Sequence, residues 1–465
     1  MLICGRPRLH DAVHGDAERR GFWVATSEPE HGRMLTAAEA ANQLGVKVGT
    51  LYAYVSRGWL KSYRRRVGRQ ALYRRSDIEA LRGLVAPERG RRARSVPDAS
   101  SWVTVAQPKS AAGISLPGVI VTESAISSII EKHLAYRGYP IEEVVAHASF
   151  EETCLLLWKG ERPGGSEVAD LRAAIAAAKL PAAVSATIAA LGDDAPPLLR
   201  LSAMMPSLAA FEHRSDPLSR PERARRIIAM LPLPLARKPG ASVSAEGGMA
   251  ERLLKTVAGT SASDWERAAM NQILVACAEH EMNASTFAAR VVASTGADLY
   301  ASVLAALCSL SGPIHGGACD RIERMFADLE AGRKLDDLLD AFTRERRLPP
   351  GFGHHIYPDG DPRAVLLRET AAAIARHKGR TLYASALRVE QAVWKRERLR
   401  PNLDFYLTVC VRMLGFRRGM PAAIFAVGRC AGWIAHILEQ YENNRLIRPR
   451  MRYRGVPIRH WETGA

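Results

Sequence analysis

Three short blocks in the C-terminal half carry residue types suited to chemistry at carbonyl carbons. They are Ser311-Gly312-Pro313-Ile314-His315-Gly316-Gly317, then Gly351-Phe352-Gly353-His354 closing on Asp361-Pro362-Arg363, then Arg400-Pro401-Asn402-Leu403-Asp404-Phe405-Tyr406. Together they set two histidines and a carboxylate on Gly- and Pro-rich turns, the groups needed to form an enol from a thioester and add it to a ketone. His315 stands just before a helical pattern that runs through Arg321 to Phe326. A helix dipole disfavours the protonated imidazole there, so the ring is expected to stay neutral and to donate a hydrogen bond to a developing enolate. His354 precedes Asp361-Pro362, which reads as an N-cap followed by proline at the first helical position. Arg363 then opens a helix, and its planar guanidinium suits bidentate binding of a carboxylate. Asp404, after Pro401-Asn402 at another helix start, is the candidate base.

The elements that must position these groups are helical almost throughout. Apolar residues recur at three- and four-residue spacings over 141–148, 151–158, 167–191, 251–258, 263–278, 299–310, 321–331, 364–377 and 405–414, with Gly or Pro between. Strand-like alternation is scarce, and Gly118 to Thr122 is the best candidate. The second half is therefore expected to be an all-α domain starting near Gly118. A chain of 465 residues, 47% of them apolar, is long enough for two or three folded units. No run approaches the roughly 18 uninterrupted apolar residues of a membrane helix, and the first residues lack a secretory apolar stretch, so the cytoplasm is the expected compartment. The seven cysteines are scattered and never spaced as CxxC, which suggests neither a disulfide framework nor a zinc site.

The formal net charge of +17 is concentrated. Between Arg57 and Arg94 thirteen basic residues face three acidic ones, so more than half of the excess sits in one segment, as for a polyanion partner. Just upstream, Thr36 caps an expected helix Ala37 to Leu44 with Glu39 at capping-box spacing, Gly45 ends it, and Val48 to Val55 begins a second helix. With the basic stretch through Gly68-Arg69 and the run Tyr73 to Leu81, residues 34–85 resemble MerR-like or excisionase-like winged helix-turn-helix domains. In that reading Lys47, Thr50, Tyr52 and Tyr54 lie on or beside the recognition helix. Arg64, Arg65, Arg66 and Arg69 would reach DNA phosphates or the minor groove. The bland reading is a small helical module with a solvated basic face. Residues 1–33 carry no periodic pattern and are expected to be disordered, with Met34 an alternative start, and 86–117 read as a linker.

Residues 118–465 resemble the citrate synthase family, which includes the 2-methylcitrate synthases. The three blocks are similar to that family's G-P-x-H-G-G, G-F-G-H…D-P-R and P-N-x-D-F-Y motifs, supported by Tyr136 to Glu143 and Gly428 to His436. The resemblance implies a large helical domain, 118–311 with 413–465, embracing a small one, 312–412, with the site in the cleft between. It implies that Asp404 removes the α-proton of an acyl-CoA, that His315 donates to the thioester oxygen, and that His354 polarises the ketone of oxaloacetate. His280, Arg363 and Arg429 would hold the oxaloacetate carboxylates. Arg448 matches an arginine that reaches the neighbouring subunit's site, which implies a homodimer. Acyl-CoA and oxaloacetate are substrates in this reading, and no metal or tightly held cofactor is implied. Propionyl-CoA use, and a DNA-binding regulator that senses the same ligands, are the alternatives. The chain departs from the family at Cys277, at His355, and at Pro358-Asp359, where a Lys or Arg near the CoA phosphates is common. Weak acyl-CoA binding is the expected consequence.

Overall fold

Capping decides where the first helix starts. In this computed structural model, which describes residues 34–46, 48, 51, 55, 60, 62–64, 71–75, 77–79, 122–130, 132–213, 218–236, 248–260, 262–442, 444–449 and 455–456, helix α1 (Ala37–Leu44) opens on Thr36. The Thr36 side chain accepts from the Glu39 amide, and the Glu39 carboxylate accepts from the Thr36 amide at 2.8 Å. Such a cap is worth about 1 kcal/mol. Gly45, at φ 66°, closes the helix in the left-handed conformation. Strands β1 (Met34–Thr36), β2 (Tyr63–Arg64) and β3 (Ala71–Arg74) form an antiparallel sheet in the order β1-β3-β2. The antiparallel β2–β3 pair fits the wing of a winged helix-turn-helix domain. Val48, Leu51 and Val55 are helical, and Leu35, Ala40, Ala41, Leu44, Leu51, Leu60, Tyr73 and Ile78 form the core of this unit. The chain divides after Val103 into this unit and a larger one.

The larger unit opens with a second antiparallel sheet, β4 (Ser127–Ile130), β5 (His133–Tyr136) and β6 (Tyr139–Pro140), in sequential order. The expected strand at 118–122 lies outside the described residues except for Thr122. Helices follow: α2 (Ile141–His147), α3 (Phe150–Lys159), α4 (Gly165–Ala177), α5 (Ala182–Ala190), α6 (Pro197–Glu212), α7 (Arg220–Met230) and α8 (Gly248–Leu253). A π-helical turn, Leu254–Ala258, extends α8. Then come α9 (Asp264–Cys277), α10 (Ala284–Ser294), α11 (Leu299–Leu310), α12 (Gly317–Glu330), α13 (Leu335–Arg344), α14 (Pro362–Lys378), α15 (Thr381–Glu397), α16 (Leu403–Met413) and α17 (Met420–Glu442). The single helix expected over 167–191 is broken into α4 and α5, bent by 62°. Pro181 explains the break, because its ring cannot continue the hydrogen-bond ladder and biases Leu180 away from helix.

Helix α17 is the axle of this unit. It is long and apolar enough to cross a membrane by length and composition, but 94% of its apolar window is buried inside the protein, which makes it a core helix. Every residue from Met420 to Ile437 is buried, against α3, α6, α7, α9, α10, α11, α12 and α16. Helices α12 and α16 begin within the blocks that carry the candidate chemistry and α9 ends just before His280, so the axle fixes their relative positions.

Candidate active site

His315 sits in the turn between α11 and α12. The Gly316 amide donates back to Leu310 O at 2.9 Å, and a Cβ at Gly316 would fall 2.4 Å from that oxygen, so only glycine fits. The half-buried imidazole places Nε2 2.9 Å from Ser285 Oγ, which also accepts from Trp433 Nε1 at 3.2 Å. Burial, reinforced by the Arg429 charge, lowers the His315 pKa to about 4. The ring is neutral near pH 7, as expected, but burial rather than the helix dipole is the leading cause.

The second and third blocks are tied to each other by backbone. Gly353 donates to Arg400 O and Asn402 donates to Gly351 O, both at 2.9 Å. Gly351 has φ 84°, and a Cβ there would press within 2.9 Å of Ile322 and Phe405. The turn carries His354, whose Nδ1 accepts from the Ile356 amide at 3.1 Å. The His354 pKa is lowered to about 4, chiefly by burial. Asp361 caps α14 and forms a buried two-point ion pair with Arg363, through Nε at 3.0 Å and Nη2 at 2.8 Å. The same carboxylate accepts from the Leu403 amide at 3.1 Å, which links α14 to the start of α16. Asp404 is the second residue of α16, and its amide donates to the N-cap oxygen of Asn402. Burial pushes the Asp404 carboxyl up to about 6; Asp361 adds to this, while Arg363 and Arg429 oppose it.

His280 lies in the tight turn between α9 and α10, and the small sheet pins that turn. Tyr136 Oη on β5 donates toward the Val275 and Glu279 carbonyls and accepts from the Glu279 amide at 3.1 Å. Ser127 Oγ on β4 donates to Glu279 Oε1 and accepts from the Glu281 amide. His280 Nε2 is 3.1 Å from Tyr357 Oη, and its ring meets His354 edge-on at 5.4 Å. Burial first, then Arg363 and Arg429, hold its pKa well below the ordinary histidine value. Arg429, on α17, donates from Nε to Cys277 O at 2.7 Å and stacks on Phe425. Its Nη2 is buried with no partner among the described residues, as a guanidinium awaiting an anion would be.

Beneath this layer runs a buried polar chain that the motifs did not single out. Arg290 Nε donates to His436 Nδ1 at 2.9 Å, so the His436 proton is on Nε2, facing Glu279 Oε1 at 3.1 Å. Arg290 also pairs with Glu439. Burial raises the Glu279 pKa, but His436, Arg429 and Ser127 outweigh it and hold the carboxyl below its usual range. The sequence sets Glu279 beside His280 without revealing this role; a charged residue between two apolar helices is the available signal.

The structure thus brings His280, His315, His354 and Asp404 into one cluster linked electrostatically through Arg363 and Arg429. Arg363, read as a group that holds an oxaloacetate carboxylate, already has Asp361 on Nε and Nη2. Arg448 lies exposed on the tail beyond α17, with no hydrogen bond or ion pair to the described residues of its own chain. Asp359, at the place where the family commonly carries a cation, is ion-paired with Lys132 at the β4–β5 turn. Arg64 is on β2, whereas Lys47, Thr50, Tyr52, Tyr54, Arg65, Arg66 and Arg69 lie outside the described residues, as do 1–33 and 86–117.

Fold and site together define a citrate synthase-type acyltransferase. The family model for the citrate synthase C-terminal domain matches residues 115–450, and that for a helix-turn-helix domain matches 34–82. Among curated relatives, citrate synthase 2 of Bacillus subtilis is 36% identical over 73% of this chain and 95% of its own length. 2-Methylcitrate synthase 1 of Corynebacterium glutamicum is 32% identical over 74% and 95%. A solved ternary complex of carboxymethyl coenzyme A and oxaloacetate with the citrate synthase of Thermoplasma acidophilum superposes at a TM-score of 0.68, with 27% identity, over 74% of this chain and 96% of that one. The chain belongs to the citrate synthase family.

Proposed function

We propose that the chain condenses a short acyl-CoA with oxaloacetate, acetyl-CoA and water giving citrate and free CoA. The observation that carries this reading is the pairing of proton states in one cluster. A carboxyl with pKa near 6 is ionised at neutral pH yet basic for its class, while imidazoles near 4 are neutral donors. Asp404 takes the α-proton of the thioester. His315 donates to the thioester oxygen from Nδ1, for which the Ser285 hydroxyl, which donates to Asn283 Oδ1 at 2.8 Å, must turn its proton to Nε2. The enol carbon then forms a bond to the ketone carbon of oxaloacetate, whose oxygen His354 polarises. Arg429 and Arg363 offer charge to the carboxylates, His280 adds a hydrogen bond, and Arg448 comes from the neighbouring subunit of a homodimer. Water then cleaves the thioester. Closure of 312–412 onto 118–311 with 413–465 would shield the enol.

The test is CoA release from acetyl-CoA and from propionyl-CoA with oxaloacetate, wild type against Asp404→Asn. Turnover in the wild type and a loss of at least about 100-fold in the variant are expected; absence of turnover with both thioesters defeats the reading. Preference for propionyl-CoA would make it a 2-methylcitrate synthase, a difference of one methylene worth about 1–3 kcal/mol. Because residues 358–359 supply no cation and Lys132 beside them is ion-paired with Asp359, the Michaelis constant for acetyl-CoA is expected above the low micromolar range.

A second role is favoured by the helix-turn-helix match and the basic excess at 57–94: DNA binding by the N-terminal unit, in a protein whose synthase domain reports oxaloacetate or acyl-CoA. The slope of log affinity against log salt scales with the number of phosphates that the protein neutralises, by roughly 0.9 for each. Replacing Arg64, Arg65, Arg66 and Arg69 by Gln in the full chain should therefore flatten it by about 3 to 4. An unchanged slope would remove these arginines from the interface.

A further inference from the structure

We propose that Cys319 is a positioning residue for the reaction: its thiol, in the first turn of α12, donates to Asp404 Oδ1 and fixes the direction in which the carboxylate presents its other oxygen. This rests on Asp404 being the base. Cys319 is 1% exposed, and its Sγ lies 3.8 Å from Oδ1, within the range of a sulfur hydrogen bond. Among the described residues no other group hydrogen-bonds to the Asp404 carboxylate. The charged and titratable groups around it act through space: Arg363 and Asp361 from α14, Arg429 from α17 and Arg321 from α12, and Cys277 from α9. Burial first, and then the Asp404 charge, keep the Cys319 thiol protonated well above the ordinary range, so toward the carboxylate it is only a donor. A thiol is a weak donor. It can aim the base while acidifying it less than an N–H or O–H at the same place would.

The test is the pH profile of kcat for Cys319→Ala, Cys319→Ser and Asp404→Asn beside the wild type. Cys319→Ala should lower kcat about threefold to tenfold and move the acid limb upward by about half a pH unit. Cys319→Ser, which restores a stronger donor, should recover most of kcat with its limb below that of the wild type. Equal losses at all pH values with an unmoved limb in both variants would reduce Cys319 to packing and overturn the proposal. If Cys319→Ala does not fold, Cys319→Ser decides alone: a limb moved down supports the proposal and an unmoved limb rejects it. Retained turnover in Asp404→Asn would instead sink the reading of the base. The infrared S–H band lost in Cys319→Ser should move to higher frequency in Asp404→Asn, a shift that mere packing would not produce.

Discussion

Asp404 is held in a state that its own fold disfavours. Its folded pKa of about 6 lies above the unfolded value of about 3.9. A raised carboxyl contributes fully below the unfolded value, and that contribution is lost as pH rises through 6. At pH 7 the ionised group therefore costs about 3 kcal/mol. Asp404→Asn should abolish turnover while raising stability by about 1–3 kcal/mol at pH 7.5, with roughly half that gain at pH 5. Thermal midpoints of both proteins at the two pH values measure it, and a destabilised variant at pH 7.5 would contradict the account. The imidazoles run the other way. His315 and His354, at about 4, lie below their unfolded value, so stability present above about 6.5 is lost as pH falls through 4. Enzyme and fold are thus both expected to fail on the acid side, the base first.

At the scale of elements, the axle α17 explains what the motif Gly428 to His436 is for. A Cβ at Gly432 would stand 2.1 Å from Glu279 Oε2 and 2.4 Å from Ala278 O, and one at Gly428 would stand 2.8 Å from Leu274 O. Two glycines one turn apart let α17 touch the end of α9, where Glu279 underlies His280. Gly432→Ala should therefore cost about 1–3 kcal/mol by overpacking and raise the Michaelis constant for oxaloacetate more than it lowers kcat; equilibrium unfolding and steady-state kinetics report the two effects. The glycines were readable as a family pattern, but the carboxylate they accommodate comes from about 150 residues earlier, a proximity no local spacing encodes. Helix α11 was legible to the residue because its apolar period is uninterrupted. The sheet β4-β5-β6 was not, since strands of two to four residues are too short to display alternation. Its one signal was the turn Arg137-Gly138, both residues at positive φ. Yet this small sheet fixes His280, through Tyr136 and Ser127.

For the whole molecule, the three blocks announced the chemistry, but they could not say whether one chain completes it. Arg448 stands exposed beyond α17 without a partner among the described residues of its own chain, while Arg429 Nη2 lies buried with no partner among them. An arginine delivered to a neighbour's site reconciles a substrate bearing two carboxylates with a cluster in which Arg363 is already paired to Asp361. In a two-fold dimer each site would then hold its own Asp404 and its neighbour's Arg448. That arrangement predicts complementation. Asp404→Asn and Arg448→Ala homodimers should each be strongly impaired. Unfolded together and refolded, or co-expressed, they should form mixed dimers in which one site has both an intact Asp404 and an intact Arg448. With random pairing half of the dimers are mixed, so roughly a quarter of wild-type activity should return. Activity no greater than the mean of the two parents would place Arg448 at its own subunit's site, or at none.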